Sequence, residues 1–196
     1  MAISLLGLQK TKNIVVTVAM SPLLSFQGAK SLWQHSLYTA VGCEYIAEKY
    51  NLINPDDAFV MGFMHDIGKV VLNLIDADRY QSYLVSGIHP DKRIEDECAK
   101  FDTDHCSTGS LLAVRWQLPE VIKDAIRFHH FPLKAKEYLG PSIVNIVNTL
   151  VADNYNEDWF DKELVKMVNI PITPEEVPEI REEIIKRGEM LIKELS

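Results

Sequence analysis

The sequence predicts an all-α protein, a helical bundle that ends in an amphipathic C-terminal helix. Nearly every long segment spaces its apolar residues at i, i+3, i+4 and i+7. Strict alternation is scarce, and Pro and Gly fall between the periodic segments. The balance of 47% hydrophobic and 24% charged residues over 196 positions is that of an ordinary globular domain, and 9 Gly and 9 Pro bring no collagen-like or linker-like bias.

Helices are expected over about 2–19, 29–50, 56–75, 104–117, 120–130 and 142–155. The opening MAISLLGLQKTKNIVVTVAM mixes Gln9, Lys10, Lys12 and Asn13 through its apolar residues, unlike a signal peptide, and no stretch approaches the ~20 uninterrupted apolar residues of a membrane span. A cytoplasmic protein with no membrane partner is expected. Asn54-Pro55-Asp56 caps the third helix. Residues 76–103, with Gly87, Pro90 and the charged run from Asp91 to Lys100, read as a short helix and a loop crossing between core helices, their tyrosines as peripheral packing. Pro119 suits the first turn of the fifth helix, Pro132 stops it after His130, and Gly140-Pro141 opens the sixth. From about 157 the text turns Glu- and Lys-rich with Pro171, Pro174 and Pro178, which divides the chain into a domain over 1–156 and an extension over 157–196. Pro178 starts a last helix whose Ile180, Ile184, Ile185, Leu191 and Leu195 share a face. That face either docks a partner or closes the chain's own core, and the second is preferred.

A formal net charge of −8 works against phosphate-backbone binding, so nucleic acid is not an expected partner. Cys43, Cys98 and Cys106 are odd in number and without CxxC spacing, which suggests neither a disulfide framework nor a thiolate zinc site.

The histidines carry the chemical signal. On the fifth helix Ile122, Ala125, Ile126 and His129 form one stripe, so an imidazole is aimed at the core. Ala58, Met61, Gly62 and His65 repeat the spacing on the third, and His105 shares a face with Thr108, Gly109 and Leu112 on the fourth. Gly62 and Gly109 each cost a helix about 1 kcal/mol relative to Ala, which fits a close approach by a neighbouring helix or a ligand. On the sixth helix Asp153 stands seven steps beyond Ile146, about 20° short of two turns, so a carboxylate also faces inward. His35 and the His129-His130 pair complete the set, while His89 beside Pro90 looks incidental. Any one such histidine is satisfied as a hydrogen-bonded core residue. Several imidazoles with Asp66 and Asp153 on separate helices are more economically explained by one shared metal centre.

His35 followed by His65-Asp66-Ile67-Gly68-Lys69 resembles the HD superfamily of metal-dependent phosphohydrolases, a helical fold named for that doublet. The stretches AISLLGLQKTKNIV, LWQHS, GFMHDIGKVVL and DHCSTGSLLAVRWQLPEVIKDAIRFHH are similar to its HDOD subfamily, a bacterial signal-output version, over about residues 1–155. HDOD domains usually have further helices before the AISLLGL segment, so the resemblance implies the later part of such a domain, the remainder supplied by a partner subunit or absent. It also implies a ligand set like that of the HD-GYP cyclic-dinucleotide phosphodiesterases: Asp66 bridging two divalent ions, His35, His65 and Asp153 on one, and His105, His129 and His130 toward the other. Lys69 would meet a substrate phosphate, or is simply a lysine near a helix end. Phe131-Pro132-Leu133 replaces the GYP segment, which weakens cyclic di-GMP as substrate, and Ser31 stands where some relatives carry a third-metal Glu.

Two such ions would activate a water and stabilise an in-line phosphoryl transition state. The donors accept iron, manganese, zinc, nickel or cobalt, and iron or manganese fits the family. Two functions follow from the resemblance. One is a phosphohydrolase for a nucleotide or other phosphoester, with Asp66 and Lys69 at the reaction. The other is a signal-output module that keeps the metal site for structure or sensing and acts through a protein partner. The oligomeric state is left open.

Overall fold

In the computed structural model, residues 28–84, 93–152, 155–156 and 160–195 are described, and within them every regular element is helical. The helix expected over 2–19 lies outside these residues. In chain order the α-helices are α1 Ala29–Lys49, α2 Pro55–Met64, α3 Ile67–Ile75, α4 Ala77–Leu84, α5 Arg93–Phe101, α6 His105–Arg115, α7 Glu120–Phe128, α8 Leu139–Leu150, α9 Lys162–Met167 and α10 Val177–Leu195. Short 3₁₀ turns cover Pro132–Lys134 and Pro174–Glu176.

Local chemistry sets most of the ends. Asn54 accepts hydrogen bonds from the backbone N–H groups of Asp56 and Asp57, and Pro55 occupies the first turn of α2 as expected. Asp104 caps α6 through the N–H of Ser107, and Asp161 caps α9 through that of Leu164. Pro119 stands at the N-cap of α7.

The principal core is built chiefly by α1, α2, α7, α8 and α10, with Ile67 and Val70 of α3, Ala113 of α6 and Leu164 and Val165 of α9. Leu37, Ile46, Ile126, Ile143, Leu150, Ile180 and Ile184 are fully enclosed in it. The C-terminal helix therefore lays Ile180 and Ile184 against α1, with Gly188 admitting the Tyr38 ring. The α3–α6 pair packs at one side. Two features depart from expectation. The segment 56–75 is two helices, broken at His65-Asp66, and the crossing region holds two helices, α4 and α5. Tyr80 and Tyr83 there are not peripheral: they are buried with Leu72 and Phe101 in a second, aromatic cluster. The stretch Pro55–Ile75 is long and apolar enough to cross a membrane by composition alone, but 72% of its most apolar window is buried inside the protein, as befits a central core element.

Close approach explains the glycines. A Cβ at Gly62 would lie 2.6 Å from the Thr39 carbonyl of α1, so a neighbouring helix, rather than a ligand, occupies that space. Gly68 and Gly109 face each other across the α3–α6 contact, where a methyl on Gly68 would collide with the His105 carbonyl.

Candidate metal centre

Several helices and the turns between them deliver polar side chains to one buried point. His35 comes from α1, His65 and Asp66 from the break between α2 and α3, His105 from the first residue of α6, His129 and His130 from the turn after α7, and Asn145 and Asn148 from α8. His65, Asp66, His105 and His129 are almost fully enclosed.

The imidazoles are oriented by what their Nδ1 atoms meet. His65 Nδ1 lies 2.7 Å from the Gly62 carbonyl and His129 Nδ1 3.0 Å from that of Ile126, so each must carry its proton there. His105 Nδ1 lies 2.6 Å from Glu97 Oε2, with the same consequence. All three rings then present an Nε2 lone pair inward. His105 Nε2 and His129 Nε2 are 3.3 Å apart, and His130 Nε2 is 3.2 Å from that of His105. The first pair consists of two acceptors with no proton between them, an arrangement that calls for a cation.

Asp66 divides its carboxylate between two groups. Its Oδ2 lies 3.2 Å from His65 Nε2 and 3.8 Å from His35 Nε2, while Oδ1 lies 3.4 Å from His105 Nε2 and 3.8 Å from His129 Nε2. The Lys69 ammonium is bonded to Oδ2. Asp66 Oδ1 and His65 Nε2 are buried without a hydrogen-bond partner. Orphaned atoms of this kind indicate that the set fits metal ions, since burial without any partner is costly.

The electrostatics agree. Burial, reinforced by the neighbouring His65, lowers His35 from 6.5 to about 3. Burial first, then the adjacent rings, holds His129 and His130 well below the usual imidazole range. Neutral imidazoles are the ligand form. For Asp66 burial acts upward, yet the positive charge around it, with the Lys69 ammonium bonded to Oδ2, holds the carboxyl well below its usual range. Cys106 Sγ lies 3.5 Å from His105 Nε2, but at 3.9 and 4.0 Å from the two nitrogens of His129 it stands beside that ring and not at its lone pair. Burial pushes this thiol up, so it is a protonated neighbour.

The HDOD domain family profile matches residues 1–132. The chain belongs to the HDOD family. An uncharacterized protein of Treponema pallidum (strain Nichols) is 28% identical over 155 residues, 74% of this chain, and the chain spans 29% of that relative's length. A Shewanella amazonensis protein provisionally named a phosphohydrolase superposes with a TM-score of 0.75 at 20% identity, covering 100% of this chain and 76% of the other. An HDOD domain protein of unknown function from Geobacter sulfurreducens gives 0.71 at 23% identity, covering 93% and 72%. These likenesses show the HD-type helical fold.

Within this HDOD site the expected residues His35, His65, Asp66, Lys69, His105, His129 and His130 come together. Asp153 lies outside the described residues. The helix expected over 142–155 is described from Leu139 to Leu150. On that helix Asn148 stands near enough to the His35 ring to act upward on its pKa, and Asn145 donates to the His129 carbonyl at 2.7 Å. Periodicity does not single out either amide, although their i, i+3 spacing at the edge of the Ile143–Leu150 stripe is a signal that could have found them. Glu97, fully buried, is hidden in the charged run RIEDECAK.

Proposed function

We propose that this HDOD protein is a metal-dependent phosphohydrolase acting on a nucleotide or another phosphoester. The two-sided carboxylate of Asp66, with an imidazole group facing each oxygen, carries the proposal. A pair of divalent ions bound there, iron or manganese by family and zinc, nickel or cobalt by donor type, would polarise a phosphoryl oxygen and activate water.

Each of the protein's own residues has a definable role. Asp66 would hold the ions together with His35 and His65 on the side of one carboxylate oxygen and His105, His129 and His130 on the side of the other. By resemblance Asp153 would complete the first side, and Asn148, beside His35, would orient that imidazole. The backbone carbonyls of Gly62 and Ile126 hold His65 and His129 in the tautomer that offers Nε2. Lys69, 14% exposed and paired with Asp66, would present its ammonium to a substrate phosphate at the mouth of the site. In a chain of net charge −8 a local cation is needed to hold that anion.

The test is metal content by elemental analysis on protein purified without chelator or histidine tag. About two equivalents per chain are expected, with hydrolysis of a nucleotide or phosphodiester panel. Asp66→Ala should lose both metal and turnover and keep most of its helical circular dichroism. No metal after reloading overturns the proposal and moves the function to a metal-free signalling module with a protein partner.

A further inference from the structure

Glu97 belongs to none of the motifs that define the site. It lies on α5 with no exposed surface, a position an unpaired carboxylate does not tolerate. Its Oε2 accepts the His105 backbone N–H at 2.9 Å and lies 2.6 Å from His105 Nδ1. The aromatic cluster walls it in: burial and the nearby Glu97 carboxylate push the hydroxyls of Tyr80 and Tyr83 up, in that order of effect. Capping of the His105 N–H alone does not account for it, because the same oxygen also meets the His105 ring.

We infer that Glu97 is a positioning residue for His105, completing a carboxylate–imidazole–metal relay. This rests on the metal centre proposed above. By holding the proton on Nδ1, Glu97 aims the Nε2 lone pair at the point shared with Asp66 Oδ1, His129 and His130. A carboxylate polarises an imidazole more than a carbonyl does, so His105 becomes a stronger donor than His65 or His129, whose Nδ1 atoms meet only backbone oxygens.

Imidazole ¹⁵N shifts of the metal-free protein read the tautomer directly, and cobalt(II) titration against a chelator reads affinity. The native chain should show His105 protonated on Nδ1 alone. Glu97→Gln should show a mixture of tautomers and bind cobalt about 10–100-fold more weakly, with helical circular dichroism preserved. Glu97→Asp, which keeps the charge but withdraws it by one methylene, should lose affinity as well and serves if the amide variant does not fold. A native tautomer and native cobalt affinity in both variants overturn the inference. A native chain that binds no cobalt while Glu97→Gln still changes the tautomer overturns the metal centre and leaves the Glu97–His105 coupling standing.

Discussion

A neutral imidazole has one proton, and the placement of that proton decides what the ring can bind. Here Gly62, Ile126 and Glu97 each take an Nδ1–H, which turns three side chains into inward donors before any ligand arrives. The same scale bears on how the His35 end is completed. Asn148 stands beside His35, and the resemblance assigns Asp153, which lies outside the described residues, to the same end. Asn148→Ala is therefore expected to lower occupancy at that end by up to one metal equivalent, measured beside Asp153→Ala. Loss only in the aspartate variant would return the role to Asp153. The amide escapes a reading of the sequence because Asn in a helix is ordinarily a solvated or locally bonded residue, and only the facing α1 reveals its partner.

At the scale of elements, the decisive feature is the break between α2 and α3. Asp66 leaves helical geometry with φ −100° and ψ 9°, and its carbonyl accepts the Lys69 N–H at 2.9 Å as the chain turns. Apolar periodicity runs through both halves, so the sequence reads as one helix over 56–75. The break places the Asp66 carboxylate at the N-terminus of α3, where the helix dipole favours an anion. The contact of α3 with α6 is equally exacting. Gly68→Ala would press a methyl into the His105 carbonyl, backbone that has nowhere to turn, and push α6 away from Asp66. A loss of about 3 kcal/mol or more is expected by denaturant unfolding, at the upper end of overpacking costs. Gly109→Ala meets the Ile126 Cγ2 methyl at 2.8 Å and the Gly68 backbone at 3.0 Å, looser than the contact at Gly68, and should cost less.

For the whole molecule, the metal-free site is an acid-labile point in an otherwise apolar core. His35, His129 and His130 are held below 6.5 in the fold, so the unfolded chain binds more protons as acidity rises. Stability contributed by these groups is present above pH 6.5 and is lost as pH falls from there toward about 3, the value of His35. Thermal melts between pH 7 and 5 should therefore show a falling midpoint without metal. Divalent ion at ~100 times its dissociation constant should raise the midpoint by about 5–10 °C near neutrality and be reversed by chelator. A midpoint indifferent to both would mean that the site contributes nothing to the folded state.

The helical class, the capping at Asn54, the start of the last helix near Pro178 and the convergence of His35, His65, Asp66, His105, His129 and His130 are all legible in the amino-acid order. Each is written in local spacing or in a motif whose members keep their order along the chain. The break of 56–75 at the doublet, the burial of Tyr80 and Tyr83, and the approach of Glu97 and Asn148 to the imidazoles emerge only once the chain is folded. These features come from contacts between helices distant in sequence, and a charged run or an edge-of-stripe amide carries no local mark of what will pack against it.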